Sequence, residues 1–150
     1  MRTSCRSLVC SILGIGILVA TAGCRESVGV VTAHGEGKGT AEVYDATFDD
    51  IWIAAHIALH WDAAGTPEDH PAQGYVVTNH PESSGPSSLD QVGVWFEPMS
   101  PTKTRVKVIV MTGTQYTAGI VGPDEQTVQR DIAKALALLQ NGQPIPRQRP

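Results

Sequence analysis

His56 and His60, in the run His56-Ile57-Ala58-Leu59-His60, are the residues best suited to chemistry in this 150-residue sequence. On a helix, positions i and i+4 share a face, so two imidazoles at that spacing can chelate one metal ion. Asp62, Asp69 and His70 follow in the next segment as candidate further ligands. Hydrolytic use of such a metal needs a glutamate base directly after the first histidine, and Ile57 stands there instead. The pair therefore supports a metal-binding protein as the alternative reading and no peptidase.

Other catalytic patterns are missing from the sequence. There is no Gly-x-Ser-x-Gly elbow, no phosphate-binding loop and no Gly-x-Gly-x-x-Gly, and Gly35-Glu36-Gly37-Lys38-Gly39 has the wrong spacing for a nucleotide. Asp49, Asp50, Asp124 and Glu125 fall where helices should begin, which accounts for them as partners of helix N-termini. No catalytic residue and no cofactor are expected in the main reading. The second candidate surface is the group Trp95, Arg105 and Lys107. An aromatic ring beside cations can hold a peptide, a glycan or a partner protein.

Composition limits what can position these groups. With 41% hydrophobic, 5% aromatic and 17% charged residues, the chain has room for one small domain with a modest core and polar ends. The first 23 residues must be set aside from that core. Arg2 and Arg6 precede Leu8–Ala20, a run of thirteen uncharged residues, too short to span a bilayer and suited to a signal peptide. Without Arg2 and Arg6, 9 basic residues face 15 acidic ones, a net charge of −6, which disfavours nucleic acid as a partner.

Thr21-Ala22-Gly23-Cys24 follows the apolar run and resembles the lipobox of bacterial lipoproteins, with small residues before a cysteine that becomes diacylated. Cys5 and Cys10 would leave with residues 1–23, so Cys24 remains without an internal disulfide partner. The resemblance implies lipidation at Cys24, a partner in the lipid bilayer and a place in the cell envelope facing the periplasm. Arg25 after the cysteine, where an aspartate signals inner-membrane retention in Gram-negative bacteria, points to the outer membrane.

Residues 24–39, with Gly29, Gly35, Gly37 and Gly39, read as a flexible tether. A single α+β domain is expected over 40–141. Thr40–Ala46 reads as a strand. Thr47 and Asp50 cap a helix whose stripe is Phe48, Ile51, Trp52, Ala55 and Leu59, with Ile53 and Ile57 off it. Gly74–Asn79, Gln91–Glu97 and Lys103–Met111 alternate as strands. If residues 98–102 close the last two symmetrically, Val92 faces Val108, Val94 faces Val106 and Phe96 faces Thr104 on the core side. Glu97 then meets Lys103, and Trp95 meets Arg105, on the outer side.

Pro123-Asp124-Glu125 opens a final helix that Asn141-Gly142 ends, with Val128, Ile132, Ala135, Leu136 and Leu139 inward and Gln129, Arg130 and Lys134 in solvent. Residues 142–150 read as a disordered proline-rich tail. The expected architecture is a two-layer α+β fold of order β-α-β-β-β-α, with an antiparallel sheet and both helices on one face. With Thr47-Phe48-Asp49-Asp50-Ile51-Trp52, Gly74-Tyr75-Val76-Val77-Thr78 and Thr104-Arg105-Val106-Lys107-Val108 behind a lipobox, it resembles small bacterial lipoprotein families. That resemblance implies an envelope protein with a binding or structural role and carries no catalytic residue.

Overall fold

The computed structural model describes residues 28–62, 66–80, 90–112, 115–116 and 124–150. The expected signal segment and Cys24 lie outside these residues. The elements are α1 (Val28–Gly35), β1 (Thr40–Tyr44), α2 (Phe48–Trp61), β2 (Glu68–His70), β3 (Tyr75–His80), β4 (Asp90–Ser100), β5 (Lys103–Thr112), β6 (Gln115–Tyr116) and α3 (Glu125–Gln140). The strands form one antiparallel sheet of order β1-β5-β4-β3-β2, with β6 beside β5. The fold is α+β, as expected, with α1, β2 and β6 in addition to the expected elements.

Strand alternation assigns the two faces. Val76, Val92, Val94, Phe96, Val106, Val108 and Val110 point inward and are buried under α2 and α3. Both of these helices cover the same face. Helix α2 starts because Thr47 Oγ1 accepts from the Asp50 amide at 3.1 Å while its hydroxyl donates to Asp50 Oδ2 at 2.8 Å. It buries Ile51, Ala54, Ala55, Ala58, Leu59 and Trp61. Ile57 packs against the core from its margin, and Ile53 stays exposed.

Helix α3 starts at Asp124, whose carboxylate accepts from the Thr127 amide at 2.6 Å, and hydrogen bonding by the Thr127 side chain, then by this amide, holds the acid below its ordinary value. It ends at Asn141, where Gly142 takes a left-handed φ of 61° and the chain turns back. Gln129 is not in solvent: it is 1% exposed. Its Nε2 donates to the carbonyls of Thr40 (3.0 Å) and Val106 (3.1 Å), and its Oε1 accepts from the Tyr44 hydroxyl at 2.8 Å. Every polar atom of this amide is engaged, so its burial is compensated and edge strand β1 is tied to α3. Burial and the nearby Glu42 carboxylate push the Tyr44 phenol well above its ordinary value.

The hairpin differs from the expected register. Val92 pairs with Val110, Val94 with Val108 and Phe96 with Val106, each partner two residues further along β5 than a symmetric five-residue loop gives. Residues 98–100 continue the strand, Pro101 and Thr102 make the turn, and the register shifts between Pro98 and Ser100, leaving Met99 exposed. A shift of two preserves the inward and outward sides, so the core residues are unchanged while the outer partners move. Glu97 stands opposite Arg105 and Trp95 opposite Lys107.

Two expectations about the ends are corrected. Residues 28–35 form α1 and lie against the outer face of the sheet, with Val30 at 0% and Ala33 at 3% exposure, so this part of the expected tether is packed structure. The cause lies in the sheet: Val77, Ile109 and Met111 make its outer face apolar, and α1 removes that surface from water. The chain then enters β1 through Gly39 at φ 102°, where a Cβ would lie 2.5 Å from Ile109 Cγ1. The segment 143–150 is also docked, since the Trp61 indole N–H donates to the Pro146 carbonyl at 2.9 Å.

Candidate functional site

The outer face of the sheet carries the candidate surface, and strand register builds it. His70 pairs with Tyr75, Tyr75 with Trp95 and Trp95 with Lys107, so side chains of β2, β3, β4 and β5 fall in one transverse row. His34 of α1 joins it. The Trp95 ring stacks on His34 at 4.4 Å and on Tyr75 at 5.6 Å, and Tyr75 stacks on His70 at 4.3 Å. Aromatic pairs of this kind contribute about 0.5–1.5 kcal/mol beyond area burial.

Gly93 makes the row possible. A Cβ there would lie 2.4 Å from Trp95 Cζ3 and 3.3 Å from Val30 Cβ, so the indole leans over a bare backbone with α1 against it. Trp95 is consequently half-buried beneath α1 instead of standing free beside two cations. The Trp95 ring stacks with His34 and Tyr75, and Tyr75 stacks with His70, so the rings of the row are turned to one another. Burial, and after it the charge of Lys107, lowers the His34 pKa from its ordinary value. Arg105 is drawn to Glu97 at 2.8 Å, an exposed pair across the hairpin. The three residues Trp95, Arg105 and Lys107 thus share one face, but each already has a partner or a neighbour on it.

The histidine pair of α2 is separated by its surroundings. His56 lies with Nδ1 3.0 Å from the Trp52 carbonyl and Nε2 2.8 Å from Asp69 Oδ1, while His60 is exposed at the other end of the turn. The alternative metal site is not gathered around them among the described residues. His70 turns to Glu68 at 3.1 Å, Asp62 is held by Arg149, and among the described residues no group of three or more His, Cys, Asp or Glu converges to hold an ion. Physically, each ring nitrogen of His56 is engaged by an oxygen, and the contact to Asp69 fastens short edge strand β2 to α2.

Two further features escape a reading of spacing. A groove of about 430 Å³ runs between β1 and α3, lined by Thr40, Glu42, Gln126, Arg130 and Ala133. At its margin Thr40 Oγ1 donates to Glu125 Oε2 at 2.5 Å. The other feature is the buried acid pair Asp62 and Asp131, bridged by Arg149 from the segment after α3. Sequence could have signalled Gln129, because Glu125, Gln129, Ile132 and Leu136 lie at i, i+4, i+7 and i+11, a row on the flank of the apolar stripe. Nothing in the spacing points to Arg149. Compared with known proteins, the chain matches no family model and no curated protein.

Proposed function

We propose that this chain is a bacterial envelope lipoprotein, held at a membrane facing the periplasm by acyl chains on Cys24, whose α+β domain binds or scaffolds and performs no reaction. The observation that carries the proposal is the order of the first 24 residues: Arg2 and Arg6, thirteen uncharged residues, then Thr21-Ala22-Gly23-Cys24. Thioether and amide acylation of that cysteine would bury two or more chains at about 0.8 kcal/mol per methylene, enough for stable anchoring. An acyl anchor also suits a domain in which, among the described residues, no helix is long and apolar enough to cross a membrane.

The non-catalytic part rests on duties already filled. Asp124 caps α3, Asp50 closes the cap of α2, His56 fastens β2, Arg105 pairs with Glu97, and Asp62 and Asp131 share Arg149. Such groups serve folding. Because α1 begins only four residues after Cys24, the reach of extended chain, about 3.5 Å per residue, limits the gap between the acylated residue and the domain to about 14 Å. The domain would then sit against the lipid layer with its α1 side nearest, and its membrane-distal partner would be an envelope protein or glycan that meets the exposed hairpin end around Met99 and Lys103.

Growth with labelled palmitate, comparing wild type with Cys24→Ala, tests the anchor. Label on the wild type and none on the variant, with the variant moving from the membrane to the aqueous fraction, is the expected result. Persistent label on Cys24→Ala refutes it.

A further inference from the structure

Helices α2 and α3 leave two carboxylates together beneath the segment that follows α3. Asp62 closes α2 as its C-cap residue and Asp131 lies in the second turn of α3. Their side chains are only 5% and 6% exposed. One guanidinium sits between them: Arg149 Nη2 pairs with Asp62 Oδ1 and lies 2.5 Å from Asp131 Oδ2. Asp62 Oδ2 is buried with no hydrogen-bond partner, and Asp131 Oδ2 meets Arg149 through charge alone, out of line for a hydrogen bond. Burial raises the Asp131 carboxyl above its ordinary value even with Arg130 and Lys134 beside it.

Three contacts lay the rest of the segment along the helices. The Gln143 amide donates to the Leu138 carbonyl at 2.9 Å, the Trp61 indole N–H to the Pro146 carbonyl at 2.9 Å, and Lys134 Nζ to the Pro150 carbonyl at 2.6 Å. Two of these fall on proline carbonyls, which accept as any backbone carbonyl does, so they hold the segment in place without selecting its residue types. Buried carboxylates this close repel one another and cannot both stay charged without a cation between them. A planar guanidinium, with five N–H donors in a fixed fork, bridges two carboxylates in a way a single ammonium does not. An empty pocket is therefore costly, and when its occupant leaves, another cation or a proton must take its place.

We propose that Asp62 and Asp131 form an arginine-reading pocket filled in cis by Arg149, and that residues 143–150 are a strap displaced by an extended peptide carrying arginine. The pocket is built by two helices and needs no rearrangement to accept the same chemistry in trans. It lies apart from the outer sheet face and does not depend on how the chain is anchored.

The probe is the synthetic peptide QPIPRQRP, the sequence of residues 143–150, followed by the chemical shift of the Trp61 indole N–H. A flexibly tethered ligand acts at an effective concentration of about 1 mM. If the free peptide binds the Arg149→Ala chain with a Kd of about 100 µM, the wild type, whose own strap competes, should bind it roughly 10-fold more weakly. Replacing the peptide arginine that corresponds to Arg149 by alanine should remove binding, and by lysine should weaken it at least about 10-fold. Asp131→Asn in the same chain should also abolish it. Equal binding of the arginine and alanine peptides, or no shift of the Trp61 signal at millimolar peptide in a folded Arg149→Ala chain, overturns the proposal. If Arg149→Ala does not fold, labelled peptide is titrated against wild type in competition with unlabelled peptide. Displacement by the arginine form only is then expected, and indifference to the arginine overturns it.

Discussion

Replacing Gln129 by methionine keeps the length of a buried side chain and removes only its hydrogen bonding. In the native chain its Nε2 serves the Thr40 and Val106 carbonyls at 3.0 and 3.1 Å, and its Oε1 receives the Tyr44 hydroxyl at 2.8 Å. Tyr44 keeps two acceptors in the variant, the Gln129 backbone carbonyl at 3.0 Å and Glu42 Oε2 at 3.2 Å, so the phenol is not orphaned. The two carbonyls each lose a donor. At about 1 kcal/mol for each, near the low end for a buried unsatisfied group, and up to about 1 kcal/mol for the weakened Tyr44 contact, the loss is about 2–3 kcal/mol. For a domain of this size that lowers Tm by roughly 8–15 °C.

Urea unfolding followed by circular dichroism measures this loss, with Gln126→Met, an exposed position on the same helix, as the control expected to stay within about 0.5 kcal/mol. The slope m should be unchanged, since the same surface is exposed on unfolding. If Gln129→Met lies within about 0.5 kcal/mol of wild type, the amide is not what ties β1 to α3, and the account of that edge is wrong.

Gly93→Ala should expel the Trp95 ring from its place under α1, because the new Cβ would overlap Cζ3. We expect a destabilisation of about 1–3 kcal/mol, together with a red shift of tryptophan emission and faster amide exchange over Val30–Ala33; unchanged protection of α1 would contradict this. The docking of α1 should also weaken in acid. His34 has its pKa lowered by burial and Lys107, so the folded state takes up a proton less readily than the unfolded one, and stability falls as pH drops below the ordinary 6.5 toward the lower folded value. Amide exchange of α1 at pH 7.5 and 5.5 reads this, and His34→Gln should flatten the difference; an equal pH response in the variant would sink the assignment.

Much of the sheet was legible because alternation is a strong local signal. Val92, Val94 and Phe96 against Thr104, Val106, Val108 and Val110 mark the buried side in any pairing that keeps parity, and that is also why the two-residue shift of the hairpin was hidden. The caps at Thr47 and Asp124 were legible for a similar reason, as the partners lie three residues away. Helix α1 was not, since its own sequence is glycine-containing and weakly amphipathic. Its signature sits on the strands, where Val77, Ile109 and Met111 face outward. Of the candidate site, the sequence brought out Trp95, Arg105 and Lys107 and their common side, but not the helix that covers the ring. Of Asp62, Asp69 and His70, the three candidate further ligands, Asp69 is the one that meets His56, and the contact joins edge strand to helix. Arg149 meets Asp62 across 87 positions of sequence, a contact that no local spacing encodes, and Asp131 from beyond the end of the same helix.

The order of the strands has a kinetic consequence. Strands β3, β4 and β5 are consecutive in the chain and paired in that order, whereas Thr40 of β1 waits for Val108, 68 positions later. Pairing of β1 closes a loop far longer than the one between β4 and β5, so the first strand in the chain joins this sheet only after β5 has formed beside β4.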